Sequence, residues 1–285
     1  MGNGWHEWPL VLFTVLGQSV AGALIVCGVC WLTIQDENSK QRIVRSMFFL
    51  WLVMGIGFVA SIIHLGSPLR AFNSLNRIGV SALSNEIAIG SIFFTVGGFW
   101  WLLTVIGKMP LFLSRLWLAI SMLLGIAFVW AMTRVYQIDT VPTWHSTYTT
   151  LSFFLTVFLC GPLFAMFLLR IAGTVYKAYI FAALSVIALL VSLTIVILQT
   201  VSLNDIYSSV QHANTLVPLW GIIQAGRIVL ITAGLCCWLY PLVVQRKEPQ
   251  IAGLLFGVLF SFFGELLGRG GFYGLHMTVG MAVAG

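Results

Sequence analysis

The chain has 285 residues, of which 60% are hydrophobic and 8% are charged. Its mean hydropathy of +1.01 excludes a soluble domain, because so few charges cannot cover that much apolar surface. The net charge of +6 at pH 7 therefore indicates orienting charges in the loops of a membrane protein, and not a nucleic-acid-binding surface.

Eight apolar runs approach or exceed the roughly 20 residues that a helix needs to cross the hydrocarbon core. Because backbone groups in lipid must be paired within the segment, the runs predict an all-α, polytopic bundle that forms one integral membrane domain over residues 1–285. The first run lacks a basic leader, so we expect no cleavable signal peptide. The predicted transmembrane helices lie near residues 8–33, 43–64, 84–107, 115–136, 150–170, 179–202, 220–244 and 251–270.

Basic residues are concentrated in every second loop. Nine of the 14 lysines and arginines follow predicted helices 1, 3, 5 and 7: Lys40, Arg42, Arg45, Lys108, Arg115, Arg170, Lys177, Arg246 and Lys247. The positive-inside rule then predicts that both termini of this multi-pass protein of a bacterial inner membrane are periplasmic. All five histidines fall near the outer helix ends, so we expect any chemistry in the outer half and an apolar middle.

One stretch, His64 to Glu86, gathers four ionisable side chains beside two hydrophobic runs: His64, Arg70, Arg77 and Glu86. An ionisable group near the centre of a membrane helix costs roughly 2.5–3.5 kcal/mol on insertion scales, so such groups usually have a function. Ser67-Pro68 predicts the start of a short interfacial helix with both arginines on its polar face. Each group also has a simpler interpretation: the arginines bind lipid phosphates, Glu86 complements a helix N-terminus, and His64 ends a helix.

Together the four side chains provide what oxidation of a hydroquinone requires. The hydroxyl of the quinol must meet a proton acceptor that works near neutral pH, and imidazole has an unperturbed pKa of about 6.5. A carboxylate can take a proton onward, and arginine can stabilise anionic charge. The stretch therefore predicts a site with His64 and Glu86 as proton acceptors and Arg70 and Arg77 as binding groups.

Two other groups of residues are candidates. Cys27 and Cys30 stand at i and i+3, but we interpret the five cysteines as small buried hydrophobes, because no charged residue accompanies them. We expect no metal site. Glu265 and Arg269 are one helical turn apart and predict an internal ion pair that could border the same cavity as His276.

Several motifs resemble the membrane anchor subunit of anaerobic dimethyl sulfoxide reductase, and the resemblance covers essentially the whole chain. They are Gly2-Asn-Gly-Trp-His-Glu-Trp-Pro-Leu10, His64-Leu-Gly-Ser-Pro-Leu-Arg-Ala-Phe-Asn-Ser-Leu-Asn-Arg77, Leu83-Ser-Asn-Glu-Ile-Ala88, Asp139-Thr-Val-Pro-Thr-Trp144 and Phe272-Tyr-Gly-Leu-His-Met-Thr-Val-Gly-Met-Ala282. One loop departs from the family pattern. Relatives tend to have histidine directly after the isoleucine, where this chain has Tyr207, so the resemblance assigns no function to His212.

The resemblance implies an eight-helix anchor without haem that oxidises menaquinol but does not itself reduce the terminal acceptor. It places the histidine and the helix-3 glutamate of the family's menaquinol site on His64 and Glu86. It also implies a heterotrimer with two partners, an iron–sulfur subunit and a catalytic subunit that carries molybdopterin guanine dinucleotide. Because the acceptor binds in another polypeptide, this chain does not distinguish a sulfoxide from an N-oxide or selenate.

Two other functions compete with this interpretation. A haem b subunit needs axial ligands that face each other, commonly two histidines. Because all the histidines lie on one side, a relay of two haems across the membrane is excluded, whereas a single haem at the outer side stays open. An absorption spectrum would reveal such a haem. A secondary transporter would show polar groups and broken helices at mid-membrane, often in related halves, and the sequence shows neither.

Overall fold

The computed structural model describes residues 3–64, 73, 75–174, 176, 179–208 and 211–278. Within these residues the structure is helical apart from turns and one isolated bridge between Tyr207 and His212. Eight helices are long and apolar enough to cross a membrane. The predicted all-α membrane bundle with eight spans is therefore confirmed, whereas the side on which the termini lie stays a prediction.

The helices follow the predicted order, with ends that differ by a few residues. Their bounds are α1 Trp8–Thr33, α2 Glu37–Ser46, α3 Phe48–His64, α4 Ala82–Val105, α5 Leu111–Val135, α6 Thr147–Ile171, α7 Tyr179–Ser202, α8 Ala213–Leu216, α9 Trp220–Leu239 and α10 Ile251–Gly274. A 3-10 turn over Asn3–Glu7 leads into α1, and a π-helical turn over Tyr240–Val244 ends the seventh span.

The second span begins earlier than predicted and is divided in two. The polar helix α2 precedes the apolar helix α3, and the two are joined at Met47. Asp36 caps α2: the hydroxyl and the backbone N–H of Ser39 donate to its Oδ2 over 2.6 and 2.9 Å. These hydrogen bonds stabilise the ionised carboxylate and lower the pKa of Asp36.

Helix α1 is the centre of the bundle, since it packs against α3, α5, α6 and α10. Two of its hydroxyl side chains donate within the helix: Thr14 donates to the carbonyl of Leu10 over 2.8 Å, and Ser19 to that of Val15 over 2.7 Å. Small residues let neighbouring backbones approach closely. A Cβ atom added to Gly22 would lie 2.3 Å from the carbonyl oxygen of Val157 on α6, so these two helices touch at their backbones.

The cysteines follow the expectation of burial only in part. Cys27, Cys30 and Cys160 are buried, whereas Cys236 is exposed and Cys237 is partly exposed. The difference arises because α9 presents this face to the outside of the bundle, where lipid is as apolar as a protein core. Hydrophobic composition therefore does not distinguish the two environments.

With eight spans, α1 begins and α10 ends at the same end of the bundle, which we call the site end. All five histidines lie there: His6, His64, His145, His212 and His276. This end also contains the longest described connections between helices, which is where the candidate site is found.

Candidate functional site

A cavity of about 1010 Å³ opens at the site end. Its walls come from the 3-10 turn, α1, α3, α4, the end of α5, the segment around residues 211–216 and the end of α10. Small-molecule sites commonly occupy such mainly apolar clefts with a few convergent polar groups. The polar and aromatic side chains that line this one include Glu7, Ser61, His64, Glu86, Ser91, Tyr136, Trp144, Tyr273 and His276.

His64 is the last residue of α3 and lies against the N-terminal turn. Its Nε2 is 3.1 Å from Oε2 of Glu7, and the two side chains are 34% and 39% exposed. The pair is therefore accessible from the cavity and from the surface. Glu7 was not among the predicted site residues, because a lone carboxylate before an apolar run looks like an ordinary helix start.

Glu86 lines the same cavity from the first turns of α4. It is 4% exposed, and its Oε1 has no hydrogen-bond partner among the described residues. The residue belongs to the buried stripe of α4 with Gly90, Phe93, Gly97 and Trp100, which recur at helical spacing. That spacing places the carboxylate inside the bundle. The cavity thus brings together His64 and Glu86, the two predicted proton acceptors.

One of the two predicted arginines, Arg77, lies within the described part of the chain. Arg70 and the predicted helix that begins at Ser67-Pro68 lie outside the described residues. Arg77 is exposed, and it is not among the described residues that line the cavity. A binding role for either arginine therefore stays a prediction.

A pair of tyrosines forms part of the cavity wall. The hydroxyls of Tyr136 and Tyr273 are hydrogen-bonded to each other, and both rings are buried. Trp144 anchors this wall, since its indole donates to the carbonyl of Phe272 over 2.9 Å and its ring lies 4.7 Å from that of His276. The helical spacing of the sequence did not reveal the tyrosine pair, because its members come from α5 and α10.

The predicted ion pair between Glu265 and Arg269 is wrong. Glu265 instead pairs with Arg227 of α9 over 3.0 Å, while Arg269 donates to Gln18 of α1 over 2.9 Å and to Thr156 of α6 over 3.2 Å. The reason is packing: α9 and α10 lie side by side, so a cross-helix partner competes with the partner one turn away. Neither Glu265 nor Arg269 lines the cavity, whereas His276 does.

This buried polar network also corrects the expectation of an apolar middle. At about 1.5 Å per residue, Glu265 lies roughly 13 Å from the end of α10, close to the middle of a hydrocarbon core that is about 30 Å thick. Arg269 completes the network, with its guanidinium carbon 3.7 Å from the ring centre of Phe153. The charges were visible in the sequence, but their depth and their partners were not.

Comparisons with known proteins agree with the resemblance seen in the motifs. Residues 1–275 match the family model described as the DMSO reductase anchor subunit (DmsC). The chain is 62% identical to the YnfH chain of anaerobic dimethyl sulfoxide reductase from Escherichia coli (strain K12), and 52% identical to the C chain of that reductase from the same organism. It is 42% identical to the C chain of anaerobic dimethyl sulfoxide reductase from Haemophilus influenzae (strain ATCC 51907 / DSM 11121 / KW20 / Rd). Each alignment covers 100% of both proteins, and the chain therefore belongs to the family of DMSO reductase anchor subunits.

Proposed function

We propose that this chain anchors a reductase of the dimethyl sulfoxide reductase type in the membrane and oxidises menaquinol in the cavity at its site end. The observation that carries the proposal is that one cavity of about 1010 Å³ is lined by both His64 and Glu86. These residues come from different helices, and together they can accept the two protons that a quinol releases.

The chemistry follows from the two environments. A quinol loses two protons and two electrons when it becomes a quinone. His64, half-exposed at the end of α3, accepts one hydroxyl proton, and Glu86, buried in α4, accepts the other. Because no redox group belongs to this chain under the proposal, the electrons leave to the iron–sulfur partner, and acceptor reduction takes place in the molybdopterin subunit.

The apolar walls fit a quinol with a long hydrocarbon tail. Phe13 and Phe58 line the cavity with their rings 5.4 Å apart, edge to face, which provides a surface for an aromatic headgroup. Ile62 of α3 and Leu83 of α4 also line it, and both face outward from the bundle, with 41% and 45% of their surface exposed. The tail leaves between these two helices and reaches the lipid.

Membership of the family supports our proposal for the assembly and the location of this chain. The relatives at 62% and 52% identity are named as chains of anaerobic dimethyl sulfoxide reductase. An anchor subunit attaches other subunits of its complex to the membrane, so this chain should have partner subunits. We infer a heterotrimer with an iron–sulfur subunit and a molybdopterin catalytic subunit in a bacterial inner membrane, working in anaerobic respiration. The charge pattern of the loops puts the site end, and the released protons, on the periplasmic side.

The test is His64→Arg in membranes that contain the assembled complex. Arginine cannot accept a proton at physiological pH, although it can still pair with Glu7, so folding and assembly should survive. Menaquinol oxidation should fall by about a hundredfold or more, within the range that general acid–base groups contribute. Acceptor reduction by a soluble dye, which bypasses the anchor, should remain near normal.

The matched control is His145→Arg. His145 also pairs with a carboxylate, Asp139, over 3.0 Å at the site end, but neither residue lines the cavity. Quinol turnover in this control should equal that of the wild type. Normal quinol turnover in the His64→Arg complex, with all subunits present, would contradict the proposed function.

A further inference from the structure

The contact between Glu7 and His64 joins two distant segments at the rim of the cavity. Glu7 is the last residue of the 3-10 turn before α1, and His64 is the last residue of α3. Their atoms Oε2 and Nε2 are 3.1 Å apart, and both residues line the cavity. With 39% of its side chain exposed, Glu7 also faces the water at the site end.

This contact assigns the hydrogens of the imidazole. When its carboxylate is ionised, Glu7 can only accept a hydrogen bond, and Nε2 of His64 then carries the hydrogen that points at Glu7. In a neutral imidazole the other ring nitrogen then has the free lone pair. Nδ1 is therefore the atom that can take a proton from a bound quinol, and Nε2 is the atom from which a proton can leave.

We propose that Glu7 is the positioning and proton-relay residue that receives the Nε2 proton of His64 and passes it to water. The inference rests on the proposed function. In the step, the O–H bond of the quinol breaks as the Nδ1–H bond forms, and the Nε2–H bond breaks as the carboxyl O–H bond of Glu7 forms. The second proton goes to Glu86, which releases it into the cavity that it lines, and the two electrons of the quinol go to the iron–sulfur partner.

Position distinguishes Glu7 from the other carboxylates at the site end. Glu86 is 4% exposed and cannot hand a proton directly to bulk water. Asp139 forms a comparable pair with His145 over 3.0 Å, but that pair is not part of the cavity wall. Of the described carboxylates that line the cavity, Glu7 is the one that contacts both His64 and the solvent.

The experiment compares Glu7→Gln and Glu7→Ala in membranes that hold the assembled complex. Glutamine keeps the shape and can still accept from Nε2, but it cannot take the proton. Each variant should lower kcat for menaquinol about tenfold or more, with KM within about twofold and dye-driven acceptor reduction unchanged. Added acetate should restore turnover in Glu7→Ala, where a vacated site admits a small carboxylate, and not in Glu7→Gln.

Two controls separate a relay from a structural role. Acetamide has the shape of acetate but cannot accept the proton, so it should not restore Glu7→Ala. Asp139→Ala removes the matched carboxylate and should behave like the wild type with or without acetate. Wild-type turnover in both Glu7 variants, or a Glu7→Ala defect that acetate does not relieve, would overturn the inference. Normal turnover in His64→Arg would overturn the proposed function instead.

Discussion

At the scale of single residues, the candidate site depends on the different environments of neighbouring charges. Glu86 lies on the buried stripe of α4, and its Oε1 has no partner in the part of the chain that the structure describes. A buried polar group without a hydrogen bond is costly. Arg77, nine positions earlier in the chain, is exposed and precedes the helix. A charged residue therefore reaches the cavity when it lies on the buried face of a helix, as Glu86 does, and being near Glu86 along the chain does not bring Arg77 there.

Arg77 should accordingly matter less than His64. We expect Arg77→Lys and Arg77→Ala to oxidise menaquinol with kcat and KM within about twofold of the wild type, because surface charges away from the site contribute little. Steady-state kinetics on membranes with equal amounts of complex provide the measurement. A loss of about tenfold in Arg77→Ala that lysine does not relieve would show that the guanidinium clamps a headgroup or a partner carboxylate.

At the scale of helices, close backbone contacts determine which elements are neighbours. Gly22 of α1 and Gly161 of α6 face each other, and a Cβ atom at Gly161 would lie 2.6 Å from the Cα atom of Gly22. Such crossings of small residues are a main source of helix association in lipid, where the hydrophobic effect does not hold helices together. The crossing keeps α1 at the centre and Glu7 above the cavity.

Gly22→Ala should therefore destabilise the chain. The added methyl group meets the backbone of α6, and overpacking of this kind costs about 1–3 kcal/mol. We expect a lower thermal midpoint for the purified chain in detergent and less assembled complex in the membrane. The matched control is Gly98→Ala in the middle of α4, because a Cβ atom there has no neighbour within 4 Å. A Gly22→Ala protein as stable as the Gly98→Ala protein would contradict this account of the crossing.

The packing of the helices also determines the partners of the buried charges on α9 and α10. Arg227 and Arg269 are both buried beside the single carboxylate of Glu265, which pairs with Arg227. Arg269 is accommodated by Gln18, Thr156 and the ring of Phe153. Four helices, α1, α6, α9 and α10, are thereby linked behind the cavity wall. Hydrogen bonds and ring contacts offset part of the cost of burying charge here, since Nε of Arg269 is buried without a partner among the described residues.

At the scale of the whole molecule, the charge pattern of the loops predicts that the site end faces the periplasm. Both termini should then be periplasmic, because α1 begins and α10 ends at the site end. Alkaline phosphatase fused after residue 285 should be active, and a fluorescent protein that matures only in the cytoplasm should be dark there. The reverse should hold for fusions after residue 247, in a loop that carries Arg246 and Lys247. Active phosphatase at residue 247 would reverse the topology and place the site in the cytoplasm.

The sequence by itself determined the number of spans and their approximate ends, and it singled out two side chains, His64 and Glu86, that line the same cavity. Hydropathy and helical period are local properties, so eight apolar runs predict eight helices without knowledge of their neighbours. His64 and Glu86 were found for a similar reason: they stand at facing ends of consecutive helices. The motifs around them also identified the family that the whole-chain comparisons then showed.

Only the tertiary structure decided which polar groups are partners. Glu7, just before the first span, contacts His64 at the end of the second span. The hydroxyls of Tyr136 and Tyr273 are hydrogen-bonded, and Glu265 pairs with Arg227 and not with Arg269. The physical reason is that lipid and the bundle interior are almost equally apolar, so hydropathy carries little information about which face of a helix points inward. The partner of a buried charge is set by the helices that happen to pack beside it, and that arrangement is a property of the whole fold.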